Sequence, residues 1–415
     1  MHIIQTPLFD FEAFVVERGK DRLTMVLEAI DAEKLIITLE REHWTGRKGH
    51  SVRGMWAAFI AGVLYGCHSI ADVARLLQRN KDIRLVCGFA KDDFPDEDAL
   101  GRFLRKLVAH EALLEECFSG LVEKLRQGLP GFGAKLAVDA TDIEAYSNGH
   151  RKSPSDPDAA WGVKEAKAGS EKPSNKGRER EIYRWFGYKL HLIVDALYEL
   201  PLAFTVTPAN ENDTIQMKPL LKRAGLSQPG HKPEAVIADK GYDSKDNCVA
   251  IAKDYHAAPI IPLVERPGWE SPDICNAKGT PTCGCGLEMV YWGKDGNYLK
   301  YRCPDVLGKA KCRCRFPCTA SSYGYVLKLP VMKADPRRHV PVPHESKKWA
   351  RLYRMRTAVE RVNSRVKDLL GLRRITLRGI AKVTLRSLLS LLVMLAAAVS
   401  MAERHRLKEV RTLVG

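Results

Sequence analysis

Residues 135–147, KLAVDATDIEAYS, alternate apolar and polar side chains with the period of two that is typical of a β-strand. The stretch AVIADKGYD at 235–243 has the short apolar run of a second, buried strand and ends in a polar loop. Between them, FGYKLHLIVDALYELPLAFTVTP at 186–208 has two apolar runs around a turn, which predicts an antiparallel hairpin. A capped helix is predicted at 210–225. The order strand, hairpin, helix, strand predicts an α/β protein with a mixed-sheet core.

The residues before this core predict only helices. Apolar positions recur at helical spacing through residues 1–128, which we interpret as an all-α N-terminal domain. Within it, SIADVARLLQRNKDIRLVCGF at 69–89 and PDEDALGRFLRKL at 95–107 predict capped amphipathic helices with basic outer faces. Such a pair is compatible with a helix-turn-helix that binds DNA, and a solvated helical face is the alternative.

The rest of the chain divides by composition. We assign residues 129–261 to the first part of the core, and residues 262–344, with many Gly, Pro and Cys and short β-like runs, to an inserted module. Helical periodicity returns in 345–415, the second part of the core. The polar residues 148–181 are interrupted by prolines and glycines, and they predict a loop.

The charge and the apolar stretches restrict the partners. The formal net charge of +16 favours a polyanionic partner such as nucleic acid, and a basic enzyme without such a partner is the alternative. The N-terminal residues 1–14, MHIIQTPLFDFEAF, lack the pattern of a secretory signal, so we expect a cytoplasmic protein. The most apolar stretch, 387–402, is shorter than the roughly 18 residues that cross a bilayer. We therefore expect it to be a buried helix, and we expect no membrane partner.

Two aspartates lie where chemistry is expected in such a sheet. Asp139 is on the first predicted strand, and Asp239 is where the second strand enters its loop. Ligand sites form where strand ends meet loops, so the two acids can converge if their strands are neighbours. Carboxylates in apolar strands need a cation, and a pair of divalent ions can catalyse phosphodiester chemistry. For either aspartate alone, we favour the alternative interpretation as a capping or surface residue.

A third acid lies on a predicted basic helix at 353–370, YRMRTAVERVNSRVKDLL. Tyr353, Arg356, Glu360 and Lys367 are spaced to lie close to one face of that helix. Arginine holds phosphate oxygens with two parallel donors and lysine acts as a point charge, while the glutamate would complete a metal site. The alternative is an exposed helix held by salt bridges.

These motifs resemble those of the DDE transposases of bacterial insertion sequences. VDATD at 138–142 and IADKGYD at 237–243 look like the motifs of the first and second acids. YRMRTAVERVNSRVK at 353–367 has the Tyr-x2-Arg-x3-Glu-x6-Lys signature of one large group. The N-terminal stretch HWTGRKGHSVRGMWAAFIAGVLYG at 43–66 looks like the DNA-binding region of these enzymes.

The resemblance implies an RNase H-like fold and metal-dependent cleavage at element ends, followed by strand transfer into target DNA. Its cofactor would be Mg²⁺ or Mn²⁺, and its partner double-stranded DNA, bound by a homodimer or larger complex near the bacterial nucleoid. A nuclease without joining activity and a non-catalytic DNA-binding remnant are the alternatives.

The resemblance also assigns roles to residues. Asp139, Asp239 and Glu360 become the catalytic metal ligands. The DNA-contacting residues beside them would be Tyr353, Arg356 and Lys367. Asp142 competes for the role of first acid, but on a period-two strand it points away from the face of Asp139, so we rank it second.

The cysteines form a separate pattern in the inserted module. Seven of the eleven lie between Cys275 and Cys318, and in a reducing compartment such crowding indicates a metal site. The spacing Cys283-x-Cys285, then Cys303, then Cys312-x-Cys314 is compatible with a structural zinc site. We name Cys283, Cys285, Cys303 and Cys312 as its ligands. Free buried or redox cysteines are the alternative.

Overall fold

The computed structural model describes residues 22–42, 49–90, 92–166, 181–226, 231–264, 274–313, 318–333 and 335–410. The described N-terminal region is helical, as the apolar spacing predicts. Its helices are α1 (residues 22–29), α2 (Glu33–Arg41), α3 (Val52–Leu64), α4 (Ile70–Arg79), α5 (Lys81–Val86), α6 (Glu97–Ala109) and α7 (Glu111–Gly128).

Helix α4 shows why these residues form helices. Ser69 and Asp72 form a reciprocal capping box at its start, in which each side chain accepts a hydrogen bond from the backbone N–H of the other. Val73 and Leu77, four residues apart, are buried on one face, and Arg79 is exposed in the last turn. The amphipathic pattern of the sequence therefore corresponds to a buried face and a basic exposed face.

A six-stranded mixed sheet follows, in the order β2-β3-β1-β5-β6, with β4 also paired to β3. The two predicted runs at 186–208 are confirmed as an antiparallel pair, β3 with β4. The elements of this region are β1 (Lys135–Glu144), β2 (Ala160–Ala166), β3 (Glu181–Asp195), β4 (Leu200–Pro208), α8 (Asp213–Arg223), β5 (Ala235–Ala238), α9 (Lys245–Val249) and β6 (Ala258–Ile260).

The prediction of a loop over 148–181 is wrong for part of that range. Residues 160–166 form strand β2, which pairs with residues 181–187 of β3. Trp161 and Phe186 face each other across this pair with ring centroids 5.6 Å apart, a cross-strand aromatic contact that stabilises a ribbon despite its polar neighbours. The remaining residues, 167–180, lie outside the described part of the chain.

The parallel pairing of β1 with β5 places the first two acids. Val138 is paired with Ala238, so Asp139 and Asp239 occupy the next positions on adjacent strands. Neighbouring strands are separated by about 4.8 Å, and equivalent positions point to the same face. The register therefore brings the two carboxylates side by side, where the carboxyl end of β5 lies against the middle of β1.

Along the chain, a second, smaller sheet comes after β6 and before the C-terminal helices. It is antiparallel, in the order β7 (Val290–Asp295), β8 (Tyr298–Arg302) and β9 (Val326–Pro330). Its buried residues form a cluster separate from the main core.

The helix predicted at 353–370 is correct in kind but not continuous in geometry. Helix α10 (Lys347–Tyr353) passes into a 3₁₀ turn, Arg354–Arg356, before α11 (Thr357–Ser364), and a π-helical turn, Arg365–Leu369, follows. These turns hold more or fewer residues than an α-helical turn, so they rotate the side chains that follow them. Ideal α-helical spacing therefore cannot give the orientation of Lys367.

The last helix, α12 (Ile380–Glu403), contains the apolar stretch 387–402. It is long and apolar enough to cross a membrane by length and composition alone, but almost all of its apolar window is buried inside the protein. The prediction of a buried helix is confirmed. Its neighbours include helices α3, α6 and α7 and also strand β4. Helix α12 therefore joins the N-terminal helices to the sheet.

Candidate active site

Asp139 and Asp239 are held differently although they are neighbours. Asp239 caps the short 3₁₀ helix Lys240–Tyr242, and its Oδ1 accepts a hydrogen bond of 2.7 Å from the N–H of Gly241. Burial raises the pKa of Asp139 to about 6, and the negative charge of Asp239 adds to that rise. The backbone N–H of Ala140 and the cations Lys164 and Arg356 act in the opposite direction. Asp139 is thus a partly buried acid whose ionised form is stabilised by nearby positive charge.

Glu360 lies on α11 and is ion-paired with Arg356 of the preceding turn, with Nη2 and Oε1 2.5 Å apart. Burial acts to lower the pKa of Arg356, but the ion pair with Glu360 and the charge of Asp139 help to raise it above the usual value. Burial raises the pKa of Tyr353, and the charges of Arg356, Asp239 and Glu360 all act on its hydroxyl group. The structure therefore brings these five predicted site residues together.

Lys367 is directed elsewhere. Its ammonium donates to Asp142 Oδ2 at 2.9 Å and lies 3.3 Å from Thr141 Oγ1. Burial acts to raise the pKa of Asp142, but the ion pair with Lys367 outweighs it and lowers the pKa below the usual value. Asp142, the competing first acid, is therefore the partner of a predicted DNA-contacting residue. The π-helical turn that contains Lys367 accounts for this orientation.

Helix α11 is docked by a residue that the sequence did not single out. Glu199, in the tight turn between β3 and β4, is buried and accepts hydrogen bonds from Arg361 Nε at 2.8 Å and Arg365 Nη2 at 3.1 Å. One carboxylate thus binds two successive turns of the segment that carries Glu360. A single acid in a turn has no local pattern that would have identified this role.

A second buried ion pair supports the loop after Asp239. Asp243 and Arg337 are both buried, and Arg337 donates to Asp243 Oδ1 from Nε at 2.9 Å and to Oδ2 from Nη2 at 2.6 Å. The pKa of Arg337 is raised, chiefly by the hydrogen bond to Asp243. Because Arg337 follows the small sheet in the chain, this pair connects the exit of the inserted module to the loop of the second acid.

Tyr353 is supported by a stack of rings. The ring of Trp349 is stacked on that of Tyr353, with centroids 4.9 Å apart and planes 17° from parallel. The ring of His344 in turn contacts Trp349, with centroids 5.4 Å apart. The spacing of four residues between Trp349 and Tyr353 is that of neighbours on one helical face, so this contact was open to prediction from the sequence.

The structure brings together three of the four cysteines named as zinc ligands. Cys285 Sγ is 3.1 Å from Cys283 Sγ and 3.4 Å from Cys312 Sγ. No sulfur contact joins Cys303 to this group within the described part of the chain, and Cys314 lies outside it. Across the same described residues, no set of three His, Cys, Asp or Glu side chains has the spacing of a ready-formed metal site.

Comparison with known proteins gives two family matches. Residues 130–396 match the family described as Transposase DDE domain, and residues 11–106 match Transposase domain (DUF772). A curated relative, "Putative transposase for insertion sequence element IS402" of Burkholderia cepacia, is 38% identical over 80 residues. The match covers 18% of this chain and 37% of the relative, so the chain spans little more than a third of that protein.

Among solved structures, the chain is similar to the cryo-EM structure of the piggyBac transposase synaptic complex with hairpin DNA. The TM-score is 0.39 at 11% identity, with 100% of this chain and 81% of that chain covered. The DDE match, by contrast, is a sequence match over more than half of the chain, and it includes all three acids. The protein therefore belongs to the family described as Transposase DDE domain.

Proposed function

We propose that this protein catalyses DNA transposition, by cleaving double-stranded DNA at the ends of an insertion sequence and joining the freed ends to target DNA. The observation that carries the proposal is the register that sets Asp139 and Asp239 side by side, with Arg356 interacting with Asp139 and ion-paired to Glu360. Family membership supports the class of reaction. The three acids are the catalytic residues in this proposal.

The proposal includes an RNase H-like fold for the core. Its support is the arrangement around β1, which has the antiparallel strand β3 on one side and the parallel strands β5 and β6 on the other. In this interpretation residues 1–128 form a helical DNA-binding domain, 129–261 and 345–415 form the two parts of the catalytic core, and 262–344 are an insertion.

The three acids suit divalent ions of the Mg²⁺ or Mn²⁺ type. Carboxylate oxygens are the ligands that such hard cations prefer, and the raised pKa of Asp139 beside Asp239 is a state that added positive charge relieves. Asp139, Asp239 and Glu360 would hold the ions, which when bound supply the charge that activates a water or 3′-hydroxyl group and stabilises the leaving oxygen.

The neighbouring side chains would hold DNA. Arg356 has five N–H donors in a planar fork, so its guanidinium can bind a phosphate while it still donates to Glu360. Lys367 has three donors, and the described contacts with Asp142 and Thr141 use two of them. The remaining donor is suited to one phosphate oxygen. Tyr353, held by the ring of Trp349, would contact the sugar-phosphate backbone beside them.

The partners follow from the same proposal. Arg102 and Arg105 are exposed on α6, whose opposite face is buried, and they would bind DNA phosphates. Pairing of two element ends calls for a homodimer or larger complex on DNA, and we place the protein in the cytoplasm at the bacterial nucleoid.

The test uses purified wild-type protein, Asp239→Asn, and Asp246→Asn as a matched control. Asp246 is an exposed acid seven residues further along the chain, in the first turn of α9. Each protein is incubated with Mg²⁺ or Mn²⁺ and a labelled duplex that carries the sequences flanking its own gene. Nicked and joined products are measured separately.

We expect defined end cleavage with joining in wild-type and Asp246→Asn protein, and a loss of at least 100-fold in Asp239→Asn, on the order of the effect of removing an essential catalytic group. Cleavage without joined product would identify a nuclease instead. Absence of any metal-dependent product, with DNA binding retained, would identify a non-catalytic DNA-binding protein.

A further inference from the structure

The inserted module has a core too small to be stable on apolar burial alone. Among the residues of the module that the structure describes, six form this buried cluster: Cys275, Cys283, Met289, Leu299, Tyr301 and Leu329. Modules of this size usually need a disulfide, a metal ion or a partner to fold. Two of the six are cysteines, and four more cysteines lie in described residues of the same module.

Three of these cysteines meet although they come from two separate segments. Cys283 and Cys285 are in one turn, and Cys312 arrives from 27 residues beyond Cys285. The sulfur–sulfur distances of 3.1 and 3.4 Å exceed the roughly 2.05 Å of a disulfide bond, so the thiols are not cross-linked to one another. A contact of three reduced thiols joins the two segments without a covalent bond.

The distances are also informative about a metal ion. In a tetrahedron with Zn–S bonds of about 2.3 Å, the sulfurs are roughly 3.8 Å apart. The two observed separations, 3.1 and 3.4 Å, are shorter than this by less than 1 Å, and the described residues contain no ready-formed site. Rotation about the Cα–Cβ bonds of the cysteines suffices to widen the group by that amount.

The turn at Cys283 is built to present sulfur. The N–H of Cys283 donates to the carbonyl of Leu287, and the N–H of Gly286 donates to the carbonyl of Cys283, both at 2.8 Å. Gly286 adopts φ +77°, a left-handed conformation that favours glycine and closes the turn.

We propose that Cys283, Cys285 and Cys312 bind one structural zinc ion, with a fourth thiolate from the segment that follows β8. A set of thiolates selects zinc over the magnesium or manganese proposed for the acids, because those ions prefer oxygen ligands. The ion would join the turn at 283–287 to the segment around Cys312 and so stabilise the small sheet. This site is distinct from the acids and does not depend on the proposed reaction.

The fourth ligand is restricted by position. Cys303 directly follows β8 and is partly buried, Cys318 is exposed, and Cys314 lies outside the described residues. Cys275 is already near another group, since its sulfur is 3.9 Å from Nε2 of His339. It is as buried as Cys283 and belongs to the same cluster, which makes Cys275→Ser a matched control for damage to the module's core.

The experiment uses the full-length chain, purified without chelators from zinc-supplemented medium. Bound zinc is measured per chain by mass spectrometry of the digested protein. We expect about one zinc ion in wild-type and Cys275→Ser protein, and less than about a tenth of that in Cys283→Ser, Cys285→Ser and Cys312→Ser, since a structural site needs four ligands. One of Cys303→Ser, Cys314→Ser and Cys318→Ser should show the same loss.

A second measurement needs no variant. Cobalt(II) added to zinc-free wild-type protein should give the intense near-ultraviolet absorption of thiolate-to-cobalt charge transfer. A wild-type chain without zinc, a cobalt complex without that absorption, or zinc that survives substitution of Cys283, Cys285 and Cys312 would each overturn the proposal. Retention of zinc in all three fourth-ligand variants would also overturn it.

Discussion

Asp139 is the residue whose protonation is most changed by the fold. The unfolded chain ionises this carboxyl near pH 3.8, whereas burial keeps it protonated in the folded chain up to about pH 6. Between these values the folded state binds the extra proton, so the free energy of unfolding falls as the pH rises through the window and stays low above it. The ionised carboxylate that the proposed chemistry requires thus lowers the free energy of unfolding of the metal-free protein.

Replacing Asp139 with Asn should therefore stabilise the metal-free protein. We expect a gain of roughly 2 to 3 kcal/mol at about pH 8, the equivalent of a shift of about two pH units, and a smaller gain at about pH 5. Urea denaturation in the presence of EDTA measures this gain in the free energy of unfolding, with Asp246→Asn as the control at an exposed acid. A gain of equal size at both pH values would show that the enclosed charge is not its cause.

Lys367 and Asp142 allow a second test at this scale. Their ion pair is partly buried, with side-chain exposures of 11% and 25%, so it should contribute more than a surface pair. We expect Lys367→Met and Asp142→Asn each to lower the free energy of unfolding by about 1 to 2 kcal/mol. A double-mutant cycle measured by urea denaturation should give a coupling of about 1 kcal/mol. Strict additivity of the two changes would rule out the pair.

The positions of some site residues could be predicted from the sequence, and those of others could not. The sequence placed Asp139 on a strand and Asp239 where a strand enters its loop, but it left open whether these strands are neighbours. The parallel register that places the two acids together is a finding of the structure. The partner of Lys367 was not predictable, because the π-helical turn that rotates it leaves no signal in the apolar spacing.

At the scale of elements, the position of α11 depends on the buried carboxylate of Glu199. The backbone of this residue has φ +56°, a left-handed conformation that residues other than glycine rarely adopt. The contacts of its side chain with Arg361 and Arg365 hold it in that conformation. A segment that includes a 3₁₀ and a π-helical turn is less regular than a straight helix, so its alignment with the sheet relies on such contacts.

Glu199→Gln should impair cleavage more than DNA binding. The neutral amide keeps the size of the side chain but loses both ion pairs, so Glu360 is positioned less accurately, and misplacement of a catalytic group by about 1 Å costs up to roughly 100-fold in rate. Single-turnover cleavage and duplex affinity are compared for this variant and for Glu234→Gln, an exposed acid near Lys135. Equal loss of affinity and rate would indicate general damage instead.

The ion pair of Arg337 with Asp243 connects two elements that are far apart in the sequence. Arg337→Met removes the cation and leaves a buried carboxylate without its main partner, which costs about 3 to 5 kcal/mol. The double variant with Asp243→Asn should recover part of that loss because no charge is left unpaired. Thermal unfolding compares the stabilities of the single and the double variant. A double variant less stable than Arg337→Met would contradict this explanation.

The sequence predicted elements better than their connections. The hairpin of β3 and β4 and the buried helix α12 were visible as apolar runs, since burial dictates local composition. Strand β2 was missed because its pairing with β3, not its own composition, makes it a strand. The link through Arg337 depends on contacts between residues 94 positions apart, which no local pattern records.

At the scale of the whole molecule, the N-terminal helices and the sheet share one hydrophobic core. The same buried cluster includes Leu23 of the first helix, Val138 of β1 and Val359 of α11. Helix α12 lies between them, with its buried Ser400 donating a hydrogen bond to the carbonyl of Met25, 375 residues away. The boundary near residue 128 is therefore a change in composition and in proposed role, and apolar packing continues across it.

This shared core predicts that residues 1–128 do not fold alone. Without α12, the apolar faces of α3 and α7 would be exposed to water at a cost of about 25 cal/mol per Å². We expect the isolated fragment 1–128 to aggregate or to lack a cooperative thermal transition, and the full chain to show helical signals from both regions lost in one transition. A fragment that unfolds cooperatively and binds the element ends as tightly as the full chain would instead establish an independent DNA-binding domain.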